Sequence, residues 1–355
     1  MCVAILLGCA GAGAEPGLAE WQVEHELTIG GADEGPFSFS DIRSFAVADD
    51  GTVFLLEAQD HQVRVFSETG EFLRAIGRRG QGPGEFEQPN GLALTADGQL
   101  WVYAPGGRRL AQFTAAGEFV QSYLPPINSW GWVWTGGVSD EWRLFDAQFI
   151  RVDTASVHRL IATDLRSEAA DTLPLPECPA TPAGFYAFPR GSMAIPYRSG
   201  RLPAVDPRGR VWCVDTREIR VHEYRIGETE PVRTLVAEVL AEPVTAAERD
   251  SAIAGVERFK ARAGDATVDY SLIPSVKAIV EGISMDDVGR VWVRARTATG
   301  FQLIGFGEDG QPLAAVPLPE PPLRWAPLVV RDDRVWYVTT DEDDVPSLVR
   351  YRIRR

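Results

Sequence analysis

Apolar and polar positions alternate along this chain in a unit that recurs: an acidic turn, usually with glycine, then an apolar residue, an aromatic and another apolar residue. The unit reads DDGTVFLL from residue 49, ADGQLWVY from 96, DPRGRVWCV from 206, DDVGRVWVR from 286 and RDDRVWYV from 331, with SDEWRLFD from 139 as a degenerate copy. Aligned in this way, Phe54, Trp101, Leu144, Trp212, Trp292 and Trp336 stand 47, 43, 68, 80 and 44 residues apart. The short intervals define the unit, and the long ones contain insertions. Each unit continues through alternating segments joined by a second tight turn, as in QVRVFSETGEFLRAIG from 62 and LAQFTAAGEFVQSYL from 110. Strict alternation interrupted by glycine turns predicts antiparallel strands. With the apolar segment ahead of each acidic turn, every unit holds four strands.

Four strands in about 44 residues is the length of a β-propeller blade. The fold class predicted is therefore all-β: a six-bladed β-propeller of four-stranded antiparallel blades over 21–355. The last unit ends on SLVRYRIRR, only a third strand, whereas WQVEHELTIGG near the start is an orphan. The orphan is expected to complete the last blade, pairing both ends of the chain in one sheet and covering an edge that would otherwise invite association.

Between blades, GRRGQGPGEFEQPNGL clusters glycines at 80, 82 and 84. A phosphate cradle needs such a loop to open a helix, and here another strand follows, so the glycines are read as a corner requiring φ > 0. The stretch GRRGQGPGEFEQPNGLALTADGQLWV resembles the NHL-repeat signature, and the chain is similar to six-bladed propellers of the bacterial envelope. The resemblance is strong over 42–124, fair over 205–225 and 283–355, and weak over 125–200. Two insertions depart from the repeat. PVTAAERDSAIAGVERFKARAG places Ala247, Ala252, Ile253, Val256 and Phe259 near helical spacing between an N-cap at Thr245 and a stop at Gly264. The resulting helical insertion, about 243–281, is either a lid over the central funnel or passive cover for a blade. The second, about 167–200, is rich in proline and aromatics without a period and is expected to be an ordered loop.

The 355 residues are 45% hydrophobic and 24% charged with a formal net charge of -15, a balance that disfavours nucleic acid and anionic lipid. At the start, Leu6-Leu7-Gly8-Cys9 resembles the lipobox of bacterial lipoproteins, which implies lipidation of Cys9, a signal and spacer over 1–20, and an exported, membrane-anchored protein. A plain secretory signal or an accidental apolar start are the alternatives. Cys178 and Cys213 form a disulfide in an oxidising compartment or remain separate thiols, Cys213 inside a strand.

Ligands of propellers enter the funnel on the face built from inter-blade connections and second-to-third strand loops. The loops contribute Asp60, His61, Arg108, Arg109, Asp146, Arg217 and Arg296; the connections contribute Asn90, Trp130, Trp132, Arg198, Tyr270, Lys277 and Trp325. Aromatic faces with guanidinium groups suit sugars, peptides and carboxylates. The expected function is accordingly non-catalytic capture of a peptide, a glycan or an envelope protein by a monomer without cofactor or metal. The lactonases and zinc lyases that share the architecture need asparagines with carboxylates or several imidazoles near the axis. This chain has Asn90 and Asn128 alone of the former, and His25, His158 and His222 fall in outer strands. A hydrolase or lyase, the alternative, would rest on Asp60, His61 and Asn90. A scaffold subunit is a third reading, differing from the first only in partner size.

Overall fold

The computed structural model describes residues 18–125, 127, 133–134, 136–152, 155–174, 184–198, 201–206 and 208–355. Its strands form six four-stranded antiparallel blades, spanning 42–76, 91–123, 137–173, 201–237, 280–317 and 328–354, the last completed by Gln22–Gly30. Gln22 pairs with Arg354 and Gly30 with Ser347, so the N-terminal strand closes blade 6 in the predicted manner. Just before it, Ala19–Glu20 adds a parallel fifth strand to the outer edge of blade 5.

Because side chains alternate across a strand, each blade offers one apolar face to the blade before it and one to the blade after it. The buried side chains accordingly fall into one cluster per blade interface. Phe54 packs between blades 1 and 2, Trp101 between 2 and 3, Trp212 between 4 and 5, Trp292 between 5 and 6, and Trp336 between 6 and 1. All five are at most 3% exposed, and full burial of a side chain of this kind contributes about 1.5–3 kcal/mol.

Blade 3 corrects the alignment. Leu144 faces blade 2, whereas Phe145 faces blade 4, so Phe145 occupies the position of the tryptophans. The turn explains the shift: Trp142 sits at φ 65, the left-handed position that Gly51, Gly98 and Gly289 fill in other blades. With no glycine to mark the turn, the sequence alignment slips by one residue, and a slip of one reverses every side chain.

The acidic residue of the repeat organises its turn. Asp286, which is fully buried, accepts from the main-chain N–H of Val288 (3.1 Å) and Arg290 (2.8 Å), from Arg290 Nε (2.6 Å) and from Trp292 Nε1 (2.9 Å). At the closing seam Glu26 takes Arg334 (2.9 Å), Arg350 (3.0 Å) and Arg352 (2.5 Å), while Arg350 also donates to Glu68 O of blade 1 (2.9 Å).

The two insertions come from different connections yet share one core. Part of the 167–200 span is not loop: Ala170–Leu173 is the fourth strand of blade 3, and Phe185–Phe188 pairs with Gly191–Ala194 as a hairpin. The hairpin packs on the helix Ala246–Ala263 and the segment after it, with Tyr186, Phe188, Ile195, Val256, Ala263 and Ile273 buried together. Thr245 caps the helix through a reciprocal capping box with Glu248, and Gly264 ends it at φ 101. This satellite flanks blade 4 in the chain on both sides, one half entering it and the other leaving it.

Candidate functional site

The inter-blade face is built by connections pinned from beneath. Glu57, at the end of the second strand of blade 1 and 1% exposed, accepts from the main-chain N–H of Ser40 (3.1 Å), Asp41 (3.1 Å) and Gln59 (3.1 Å). Arg64 donates to Pro36 O (3.2 Å) and Ser38 O, lies 4.8 Å over the Phe39 ring and pairs with Asp60. His61, at φ 56, accepts from the main-chain N–H of Gln88 through Nδ1 (3.2 Å), which ties the loop to the glycine-rich connection. Burial, then the Arg79 charge, holds its pKa below the ordinary imidazole value. Asn90 is 4% exposed; its N–H donates to Tyr103 O (2.8 Å) and its C=O accepts from Trp134 (3.0 Å). Among the described residues no hydrogen bond joins Asp60, His61 and Asn90 to one another, and each holds a loop in place.

The remaining candidates divide into engaged and open groups. Lys277 is 6% exposed, its ammonium held between Glu242 and Glu248 (2.6 Å). Burial works against its charge, but the two carboxylates outweigh it and raise the pKa. Glu248 is correspondingly lowered to about 2, first by Lys277 and then by Thr245. Arg296 lies in the second strand of blade 5, pairs with Glu242 and stacks on Phe301 at 5.5 Å. Together these groups fasten the start of the helix to blade 5. Asp146 is in the strand Arg143–Val152 rather than a loop, because this hairpin runs ten residues per strand, and it accepts from Gln148 Nε2 (3.0 Å). Tyr270 belongs to the satellite and donates to Glu257, which raises its pKa to about 12.

Other candidates are more exposed. Arg108 is exposed at φ 50 in its loop, Arg217 is exposed with a forked bond to Asp215 (3.0 Å), and Arg198 is half-buried ahead of blade 4. Trp325 is 52% exposed on the connection entering blade 6. The main chain on either side of it is held by Arg294, 6% exposed, which donates to Arg324 O (2.8 Å), Glu281 O (3.2 Å), Ala326 O (3.4 Å) and Leu323 O (3.5 Å). Arg294, Glu57 and Arg64 escaped the sequence reading, since a buried charge serving distant carbonyls or amides leaves no local pattern. Trp130, Trp132, Cys9 and Cys178 lie outside the described residues. Cys213 is disulfide-bonded, and the other three cysteines all lie outside them. Among the described residues no group of three or more His, Cys, Asp or Glu is placed to hold a metal, and no helix is long and apolar enough to cross a membrane.

Residues 35–129 match the DUF5128 family model, described as a 6-bladed beta-propeller. The chain is a six-bladed β-propeller. The propeller is similar to the crystal structure of a DUF4221 family member from Bacteroides vulgatus, with 12% identity and a TM-score of 0.60 over 95% of this chain and 99% of the other. A Bacteroides fragilis protein described as exported matches at 11% identity and a TM-score of 0.55, over 95% and 99% of the two chains. A protein of unknown function from Bacteroides thetaiotaomicron matches at 11% and 0.50, over 92% and 75%. No curated protein matches the propeller.

Proposed function

We propose that the propeller captures a peptide, a glycan or an envelope protein on its inter-blade face, outside the cytoplasm and without covalent chemistry. The observation that carries this reading is Trp325, a half-exposed indole on a segment whose carbonyls are gripped by a buried arginine. An exposed aromatic on a held main chain loses little entropy on stacking against a ligand, and Arg198 adds forked donors for carboxylate or hydroxyl groups. Two facts support export: Cys213 is disulfide-bonded, which suits an oxidising compartment, and one structural neighbour is described as exported. Lipidation of Cys9 would tether the ring to a membrane. The test is an array of immobilised peptides and glycans probed with the native protein and with Trp325→Ala. Spots bound by the native protein and lost from the variant are expected; an array with no bound spot, or one the variant binds equally well, would refute the reading.

A further inference from the structure

The satellite carries an extended segment with no sheet partner. From Asp265 to Tyr270 burial alternates, with Ala266, Val268 and Tyr270 packed into the satellite core and Asp265, Thr267 and Asp269 turned outward. This is the period of a β-strand, yet the segment belongs to no ladder. No main-chain N–H or C=O from Ala266 to Val268 has a main-chain partner among the described residues. The same segment lines a cleft of 470 Å³ whose other wall is Glu257 and Lys260 of the helix. A strand with an open edge along a groove is the geometry to which an extended peptide adds as a further strand.

The charge around the cleft states what such a peptide would carry. Two carboxylates of its lining, Glu257 and Asp265, are set against one cation, Lys260, which pairs with Asp265 at 3.0 Å, and the exposed Asp269 stands between the lining residues Val268 and Tyr270. We infer that this cleft is a second binding site of the propeller, taking an extended peptide with basic side chains at alternating positions by main-chain pairing to Ala266–Val268. Alternation places those basic residues on one side of the added strand, beside the outward carboxylates. The apolar residues between them face the opposite side. The cleft is lined wholly by residues 257–270, so the site does not depend on the funnel.

The experiment is fluorescence anisotropy with labelled acetyl-Lys-Val-Lys-Val-Lys-amide and the full chain. A copy of the peptide N-methylated throughout keeps its charge and loses its donors, and is expected to bind at least about tenfold more weakly. Glu257→Gln should weaken the unmethylated peptide severalfold, and Trp325→Ala should leave it unchanged. Absence of saturable binding overturns the inference. So does equal binding of the methylated peptide, which would mean charge attraction alone, and so does loss of binding in Trp325→Ala, which would move the peptide to the funnel.

Discussion

Two connections perform the same topological task in opposite ways. Residues 77–90 carry the chain from blade 1 to blade 2, and residues 238–279 from blade 4 to blade 5. The first is held by shape: Phe86 is 0% exposed in the cluster between its blades, and Gly77, at φ 80, lies so close that a Cβ would sit 2.2 Å from the Phe86 ring. The second joins the ring core only at its ends, through Val239, Ala241 and Ile279, while Lys277, Glu242, Glu248 and Arg296 fasten by charge a helix that keeps its own separate core. A short connection therefore becomes part of the ring, whereas a long one becomes an appendage whose attachment can be loosened while the ring stays intact.

The contrast is sharpest in apolar truncation. Phe86→Ala should cost the whole ring about 3–5 kcal/mol in denaturant unfolding, with Gly77→Ala comparably damaging because strain and overlap coincide. Lys277→Met should cost about 1–3 kcal/mol, less than a fully buried pair because Glu242 keeps Arg296 and Glu248 is partly exposed. Its effect should be local: limited proteolysis would cut within 246–263 while the melting temperature of the ring stays put. A global loss of stability would mean that the satellite is part of the ring's cooperative unit.

Acid separates the two connections again. Glu248 falls from 4.5 to about 2 on folding, so its contribution is complete above about pH 4.5 and is lost as pH falls through 2. The proteolytic resistance of the helix should fall across that window in the native protein and show a smaller step in Lys277→Met, where Thr245 alone still lowers Glu248. His61 gives the smallest effect. Its folded pKa lies below 6.5, so the unfolded chain takes the proton first, and stability falls as pH drops from about 6.5 toward the folded value. Thermal melts between pH 7 and 5 should show a shallow decline that His61→Gln removes.

The repeat made the blades legible because turn, aromatic and alternation coincide at Phe54, Trp101, Trp212, Trp292 and Trp336, each cue reinforcing the others. It failed where one cue was replaced, with Trp142 in a glycine's place concealing Phe145. The helix was legible through Thr245 and Gly264. Its partnership with the hairpin was not, because Phe188 meets Phe259 at 5.2 Å across 71 residues of chain. At the candidate site, exposure could be guessed for Trp325, but Lys277 looked equally available and is buried. Residue type indicates which chemistry a side chain can do, and only tertiary structure tells whether that capacity is already spent.

The strand Gln22–Gly30 has a temporal consequence. Its partner strand ends at Arg354, 332 residues later, so among the first described residues made are ones that must wait for the last. Until the last strand has been made, blade 6 cannot be completed and the ring has two raw ends. Contacts of such sequence separation form slowly, since a long loop must close before they give any return. The nascent chain is thus kept from finishing its fold before its last strand is made, and the ring closes as a single late event.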